Sequence, residues 1–315
     1  MEKKRVKTAL RITETVLFAA VLVLILLRIQ YVTRDKTTAT MFDNFKNLEE
    51  NSVSVFFVGN SHSFCSINTD LLYDEYGIDS FMMSASGQTI AMDYYAIEEA
   101  IKHQNPKTIY LEMSYAVFDW DVISDEMSHM FFDGMPNDSI KREALADLID
   151  KEDRINFYIP LLQYHSRFDS LTQSDYASDL TSPRGSFYSE NVIPCWPIEY
   201  EKPEEIMEMP ENVVYYMDKI IALCRENDIE LILYTVPYNT SYEGEGLDEM
   251  QMNLSIFYGI EEYAAANNLE YHNLFEEVDE IGLDYSEDFM DSQHFNRYGQ
   301  EKFTRYMVEK GYIKD

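Results

Sequence analysis

The sequence predicts an α/β protein: a three-layer α/β/α sandwich on a mainly parallel sheet, preceded by one transmembrane helix. Short runs of β-branched and aromatic residues alternate with amphipathic stretches, as in strand–helix–strand units joined by right-handed crossovers. Asn and Gly stand where those amphipathic stretches should begin and end. An apolar run near the amino terminus fits neither pattern and reads as a membrane span.

That run, Val16 to Leu27 (VLFAAVLVLILL), follows the basic cluster KKRVK. Twelve apolar residues in a row are short of the roughly 20 that a crossing needs. Ile12 to Val32 is long enough, with Glu14 and Arg28 placed near the two interfaces. RIQYVTRDK, which follows, has no A-x-A-like pair, so an uncleaved signal anchor is expected in preference to a cleaved signal peptide. The stronger basic cluster precedes the span, which places residues 1–11 in the cytoplasm and the bulk of the chain outside the membrane.

Residues 33–51 read as a polar connector to one domain, 52–315, a size within reach of a single α/β core. Val53 to Val58 (VSVFFV), ending at Gly59, reads as a buried parallel strand. Asn68 is a helix N-cap, TDLLYDEY the helix and Gly77 its C-terminal stop. Ser80 to Met83 is the second strand, the small-residue turn SASGQ leads into a helix from Thr89 to His103, and Thr108 to Met113 is the third strand. From Ser114 to Pro210 the beat is lost, and a stretch that long reads as an elaborated insertion, a common place for substrate recognition. It resumes with a helix from Asn212 to Glu226, the strand Ile229 to Thr235, a helix from Met250 to Asn267 and a weak last strand at Tyr271. Asn296 caps a final amphipathic helix that ends at Gly311.

Composition narrows the function. The formal net charge is −32, and beyond residue 36 the chain has 17 basic against 54 acidic side chains. A domain that acidic repels phosphate backbones, so nucleic acid is not an expected partner. Aromatic residues make up 14% of the chain, ample apolar material for a core. Three scattered cysteines, Cys65, Cys195 and Cys224, make no disulfide framework; a Cys195–Cys224 bridge and unpaired buried thiols both remain open, and the thiols are favoured.

Two short motifs carry chemistry. Gly59-Asn60-Ser61-His62-Ser63 follows the first strand, where a parallel sheet opens its ligand crevice, and a serine there can present its Oγ and its own backbone N–H to a carbonyl. Asp291-Ser-Gln-His294 precedes the last helix, and its spacing lets the carboxylate fold back onto Nδ1 so that Nε2 can take a proton from serine. Each alone also fits an ordinary turn or cap. Glu126-Met-Ser-His129 lacks the second histidine and the Cys/His surroundings of a metal centre, so no metal or cofactor is expected. Cys65 reads as buried behind the strand-to-helix turn.

A serine after the first strand together with an Asp-x-x-His before the last helix resembles the SGNH, or GDSL-like, hydrolase family, over about residues 53–310 with the insertion unmatched. VFFVGNSHSF resembles the family's first block, although Asn60 stands where many members have Asp. SASGQ resembles the glycine block, and DSQHFNRYGQEKF the last one. The resemblance implies an SGNH/flavodoxin-like fold and serine esterase or O-acyltransferase chemistry. In it Ser61 is the nucleophile, His294 its base and Asp291 the orienter, with the Ser61 and Gly87 amides as oxyanion donors. Family members often carry an Asn after the third strand as a further donor; LEMSYAVF has none, leaving Ser114, Tyr115 or a donor from elsewhere in the chain as substitutes.

The anchor, GNSH in place of GDSL and the acidic domain are similar to the membrane-tethered subgroup of D-alanyl-lipoteichoic-acid and alginate O-acetylation proteins. That likeness implies an acyl donor, a carbohydrate or polyol acceptor in the cell envelope and a membrane-bound O-acyltransferase as partner. A catalytically idle scaffold that binds a polysaccharide or a membrane partner is the rival expectation; it predicts Ser61 and His294 beyond hydrogen-bond reach of each other.

Overall fold

Five short strands take up the apolar runs: β1 (Val55–Gly59), β2 (Ser80–Ser84), β3 (Thr108–Glu112), β4 (Glu230–Thr235) and β5 (Glu270–Asn273). The computed structural model describes residues 2–34, 40–118, 125–176, 181–198, 202–237, 240–241 and 247–314. The strands form one sheet in the order β2-β1-β3-β4-β5, with every pair parallel. All residues of β1, β2 and β3 are buried, which is why their sequences run apolar without alternation. Edge strand β5 is only half-buried, which accounts for its weak signal.

The helices divide into two packed groups. Ile90–His103 lies against Glu211–Glu226 and Ser139–Leu148, while Arg297–Glu309 lies against Ser61–Ser66 and Thr69–Tyr76. The chain turns one way from β1 to β2 and the other way from β2 to β3, so right-handed crossovers put the groups on opposite faces of the sheet. Glu211–Glu226 buries Val213, Met217, Ile220, Ile221 and Cys224, a stripe at helical spacing. The order reverses between β1 and β3, and in such sheets the ligand crevice opens outside the carboxyl ends of those two strands.

Gly59 makes the tight junction there. Its φ is +148°, and a Cβ on it would lie 2.8 Å from Cβ of Glu112 at the end of β3. Gly59→Ala is therefore expected to lower stability by about 2–4 kcal/mol through strain and overpacking together. Urea unfolding checks this, and an unchanged midpoint would refute it.

Two regions differ from the sequence reading. The connector is not merely polar: Thr40–Phe45 is a helix that places Met41, Phe42 and Phe45 in the core, with Phe45 against Phe81 and Phe42 against Phe131. The insertion contains Asp125–Phe132, Ser139–Leu148 and shorter helices, with Phe131, Phe132, Leu145 and Phe157 buried. Its later part runs along the sheet edge, where the Met82 amide donates to the Arg184 carbonyl at 2.9 Å and so satisfies part of the outer side of β2. The cysteines are free and buried, so Cys195 and Cys224 form no bridge.

The N-terminal helix, Glu2–Thr33, contains a 29-residue stretch, Arg5–Thr33, long and apolar enough to cross a membrane, its most apolar part not buried by the domain. Its length is about 48 Å at 1.5 Å per residue, more than the roughly 30 Å of a hydrocarbon core.

Candidate active site

Ser61 is the first residue of the Ser61–Ser66 helix, and Asn60 is its cap. Asn60 Oδ1 accepts the His62 amide at 2.8 Å and lies 3.0 Å from His62 Nδ1. Asn60 Nδ2 donates to Glu112 Oε2 at 3.0 Å. One amide thus satisfies a helix amide and a buried carboxyl together, which a second carboxylate at position 60 could not do. Ser61 is 9% exposed.

The His294 loop meets it from the other end of the chain. His294 Nε2 is 2.7 Å from Ser61 Oγ, and Nδ1 is 2.9 Å from both Asp291 carboxylate oxygens. The backbone amides of Gln293 and His294 donate to Asp291 Oδ1, each at 2.8 Å. Burial raises the Asp291 carboxyl, but the bond and charge of His294 and these two amides outweigh it and hold the group below the usual carboxylate range. The sequence-selected residues Ser61, His294 and Asp291 thus come together in one hydrogen-bonded line.

The two ends are locked by Asn296, which the sequence reading placed as a cap, and by Gln300 and Thr304, which it did not select. Asn296 caps Arg297–Glu309 and donates to the Glu287 carbonyl at 2.6 Å, fixing the loop that carries His294. Gln300 Nε2 donates to the carbonyls of Phe64, Ile67 and Phe187 at 2.9, 3.2 and 3.1 Å. Thr304 Oγ1 accepts the Asn68 amide at 2.9 Å. The last helix is thereby fastened to the helix that carries Ser61. The motif RYGQEKF held the only signal: small and polar residues on the buried face of an amphipathic helix.

Gly87 lies in the turn after β2 with φ +68°, and a Cβ there would meet the Met127 side chain at 2.5 Å. Gly59 and Ser84 are register partners, so this turn leaves the same sheet edge as Ser61. Ser114 is a different matter. Its amide donates to Glu112 Oε1 at 3.0 Å and its hydroxyl bonds the same oxygen. Both of its donors are engaged, so Ser114 does not offer the oxyanion contact the sequence suggested. Tyr115 does face Ser61. Burial lifts its phenol above the ordinary range, the Glu112 charge adds to this, and a hydrogen bond with Ser61 opposes both.

Glu112 and His62 complete the surroundings. Burial pushes Glu112 up to about 7 against the pull of hydrogen bonds from Ser114, Asn60 and the Val236 amide. His62 stacks obliquely on His294, with ring centroids 4.9 Å apart. Burial holds it well below the ordinary imidazole value, the His294 charge adding to this and Asp291 opposing it, so His62 is neutral beside His294. Cys65 is buried, and burial with the Asp291 charge pushes its thiol well up, away from thiolate chemistry. His129 bonds Asp133 at 2.8 Å, and the Glu126 side chain lies outside the described residues. Among the described residues, Glu99, His103 and Asp138 bring metal-type ligand atoms within 4.8 Å of one another, but at the far end of the Ile90–His103 helix, with Lys102 paired to Asp138.

No known protein family's sequence profile matches the chain, and no curated protein does. Solved structures do. A GDSL-like lipase from Bacteroides thetaiotaomicron is 13% identical with a TM-score of 0.42, covering 88% of this chain and 100% of its own. A protein described as a candidate acylhydrolase from Bacteroides fragilis is 12% identical with a TM-score of 0.41, covering 87% and 95%. An acetyl xylan esterase is 11% identical with a TM-score of 0.41, covering 82% and 99%. These likenesses are distant, and the functional reading rests on the geometry of Ser61, Asp291 and His294.

Proposed function

We propose that the protein is an SGNH-type serine acyl-ester enzyme working outside the cytoplasmic membrane, with transfer of an acyl group to a cell-wall or exopolysaccharide hydroxyl as its reaction. The observation that carries the reading is the 2.7 Å contact of Ser61 Oγ with His294 Nε2, on an imidazole whose Nδ1 is held by Asp291. It speaks against an idle scaffold, which predicts the two groups out of reach of each other.

Ser61 Oγ attacks the ester carbonyl carbon as its proton passes to His294 Nε2. Nδ1–H stays on Asp291, which steadies the imidazolium without taking its proton. The tetrahedral oxyanion receives the amides of Ser61 and Gly87 and, in place of the Asn that the third block lacks, the Tyr115 hydroxyl. On collapse the carbonyl–O bond breaks, and His294 gives its proton to the departing alkoxide, leaving acyl-Ser61. An acceptor hydroxyl repeats the steps, losing its proton to His294 while Ser61 Oγ leaves and recovers it. Water in that place makes the same site an esterase. A membrane-bound O-acyltransferase is the partner expected to supply the acyl group.

A fluorophosphonate probe tests the activated serine. The purified full chain should take up one probe per molecule, and Ser61→Ala none. A folded parent protein that resists the probe would rule out the serine reading.

A further inference from the structure

The N-terminal helix does not simply leave the domain at its last turn. Val32, Thr33 and Arg34 are buried, and the helix packs against the short helices Leu161–Tyr164 and His165–Asp169 of the insertion. Arg167 clamps the joint. Its Nη1 donates at 2.7 Å to the Thr33 carbonyl, one of those a helix end leaves without an intrahelical partner, and Nη2 donates to Asp175 at 2.9 Å. Arg34 in turn pairs with Asp43 of the Thr40–Phe45 helix, whose neighbours Phe42 and Phe45 are in the core. The end of the span and this part of the insertion are therefore tied to the domain and to each other.

The same part of the insertion turns apolar side chains outward. Ile155, Ile159, Leu162 and Phe168 are exposed by 50, 43, 49 and 72%, and no other large apolar side chain among the described residues is as exposed as Phe168. All four lie within fourteen residues: Ile155, Leu162 and Phe168 on consecutive short helices beginning at Arg154, and Ile159 at the C-cap of the first. An isolated exposed Leu needs no explanation, but a group of them beside the end of an apolar span does.

We infer that this face, centred on Leu162 and Phe168, seats in the outer-leaflet interface of the bilayer that the N-terminal helix crosses. The inference rests on that helix spanning the membrane and is independent of the chemistry at Ser61. Continuity carries it: residues packed on the last turns of a span lie at headgroup depth, where Leu and Phe side chains insert. Attachment by charge is the wrong mechanism here, because the chain beyond residue 36 has 54 acidic against 17 basic groups and is repelled by an anionic leaflet. Two attachments, the span and the wedge, together restrict tilting of the domain and hold the crevice at Ser61 at a set orientation to the surface.

The test uses the full chain in phosphatidylcholine vesicles. Cys65, Cys195 and Cys224 are all buried, so a fluorophore can be directed to single introduced cysteines. Leu162→Cys and Phe168→Cys carry it on the face. Tyr215→Cys is the exposed control, on the Glu211–Glu226 helix, which packs on Ile90–His103 and β4. Lipid bearing a nitroxide near the glycerol end of its acyl chain should quench the 162 and 168 probes about two-fold or more, as befits groups seated roughly 5–10 Å into the headgroup–acyl boundary, and spare the 215 probe. Because each probe sits on an already exposed position, the folded domain tolerates it; a circular dichroism melt matching the parent verifies this. A chain that floats with the vesicles while all three probes are quenched alike, or none is, overturns the wedge. A chain that does not float removes the span and the inference with it.

Discussion

Turnover of an activated ester such as p-nitrophenyl acetate is expected to fall about 10⁶-fold in Ser61→Ala and in His294→Ala, and about 10⁴-fold in Asp291→Asn. The ranking follows from the geometry. Ser61 supplies the bond-forming atom and His294 moves both protons, so neither has a substitute. Asp291 acts through His294: its carboxylate fixes Nδ1–H inward and leaves Nε2 toward Ser61 Oγ. An amide at 291 can present its NH₂ to Nδ1, which favours the tautomer with the proton on Nε2 and removes the base. The Asp291 side chain is 36% exposed, so water can take over part of its role, and its loss is the milder one. The three groups act as a unit, so the double variant Ser61→Ala/His294→Ala should be no slower than either single one. Steady-state kinetics decide this. Additive losses in the double variant, or an Asp291→Asn enzyme within ten-fold of the parent, would show that the line of hydrogen bonds is not the catalytic unit.

The second large effect concerns Glu112, which bonds Asn60 and Ser114 and so holds the floor of the site. Glu112→Ala leaves Asn60 Nδ2 and both Ser114 donors buried without an acceptor. At about 1–3 kcal/mol per buried orphan, the loss in stability should reach roughly 3–9 kcal/mol, and kcat should fall with it because Asn60 caps the helix that carries Ser61. Glu112→Gln separates charge from shape. The folded protein holds this carboxyl at about 7, above its ordinary 4.5. A raised carboxyl favours folding fully below the ordinary value, and the contribution is lost as pH climbs through the folded one. Between pH 4.5 and pH 7 the parent should lose about 3 kcal/mol from this group. Gln has no proton to lose, so the stability difference between parent and variant should shift in favour of Gln by about that amount. Urea unfolding of both proteins at pH 5 and pH 8 measures it. A difference that stays constant would mean that the hydrogen bonds to Glu112 keep it ionised throughout.

These two expectations stand differently toward the sequence. Ser61, Asp291 and His294 were legible because each lies in a local pattern: a small-residue turn after a strand, and a carboxylate three residues before a histidine. Local physics also marks the helix between Asn68 and Gly77 and the one begun by Asn296, since a cap is a hydrogen bond between near neighbours. The apolar runs of β1 to β3 were readable because strands buried on both faces need no alternation.

Other features were decided only when distant segments met. Asn60 and Glu112 are 52 residues apart, and nothing in GNSH or LEMS says that one bonds the other. Ser114 is a local exception: Glu112, two residues before it, takes both its hydrogens. Phe42 and Phe45 lie in a segment too polar and too short to read as a core helix, yet β2 and the insertion bury them. Arg167 is one of the chain's few basic residues, and its bonds to the Thr33 carbonyl and Asp175 give it a role. By itself the sequence determined the strand–helix order, the apolar N-terminal helix and the two motifs that hold Ser61, Asp291 and His294, because these follow from local hydrogen bonds and from hydrophobic period. The partner of each buried polar group was left to the tertiary structure, because that choice depends on which segments share a low-dielectric interior in which every donor needs an acceptor.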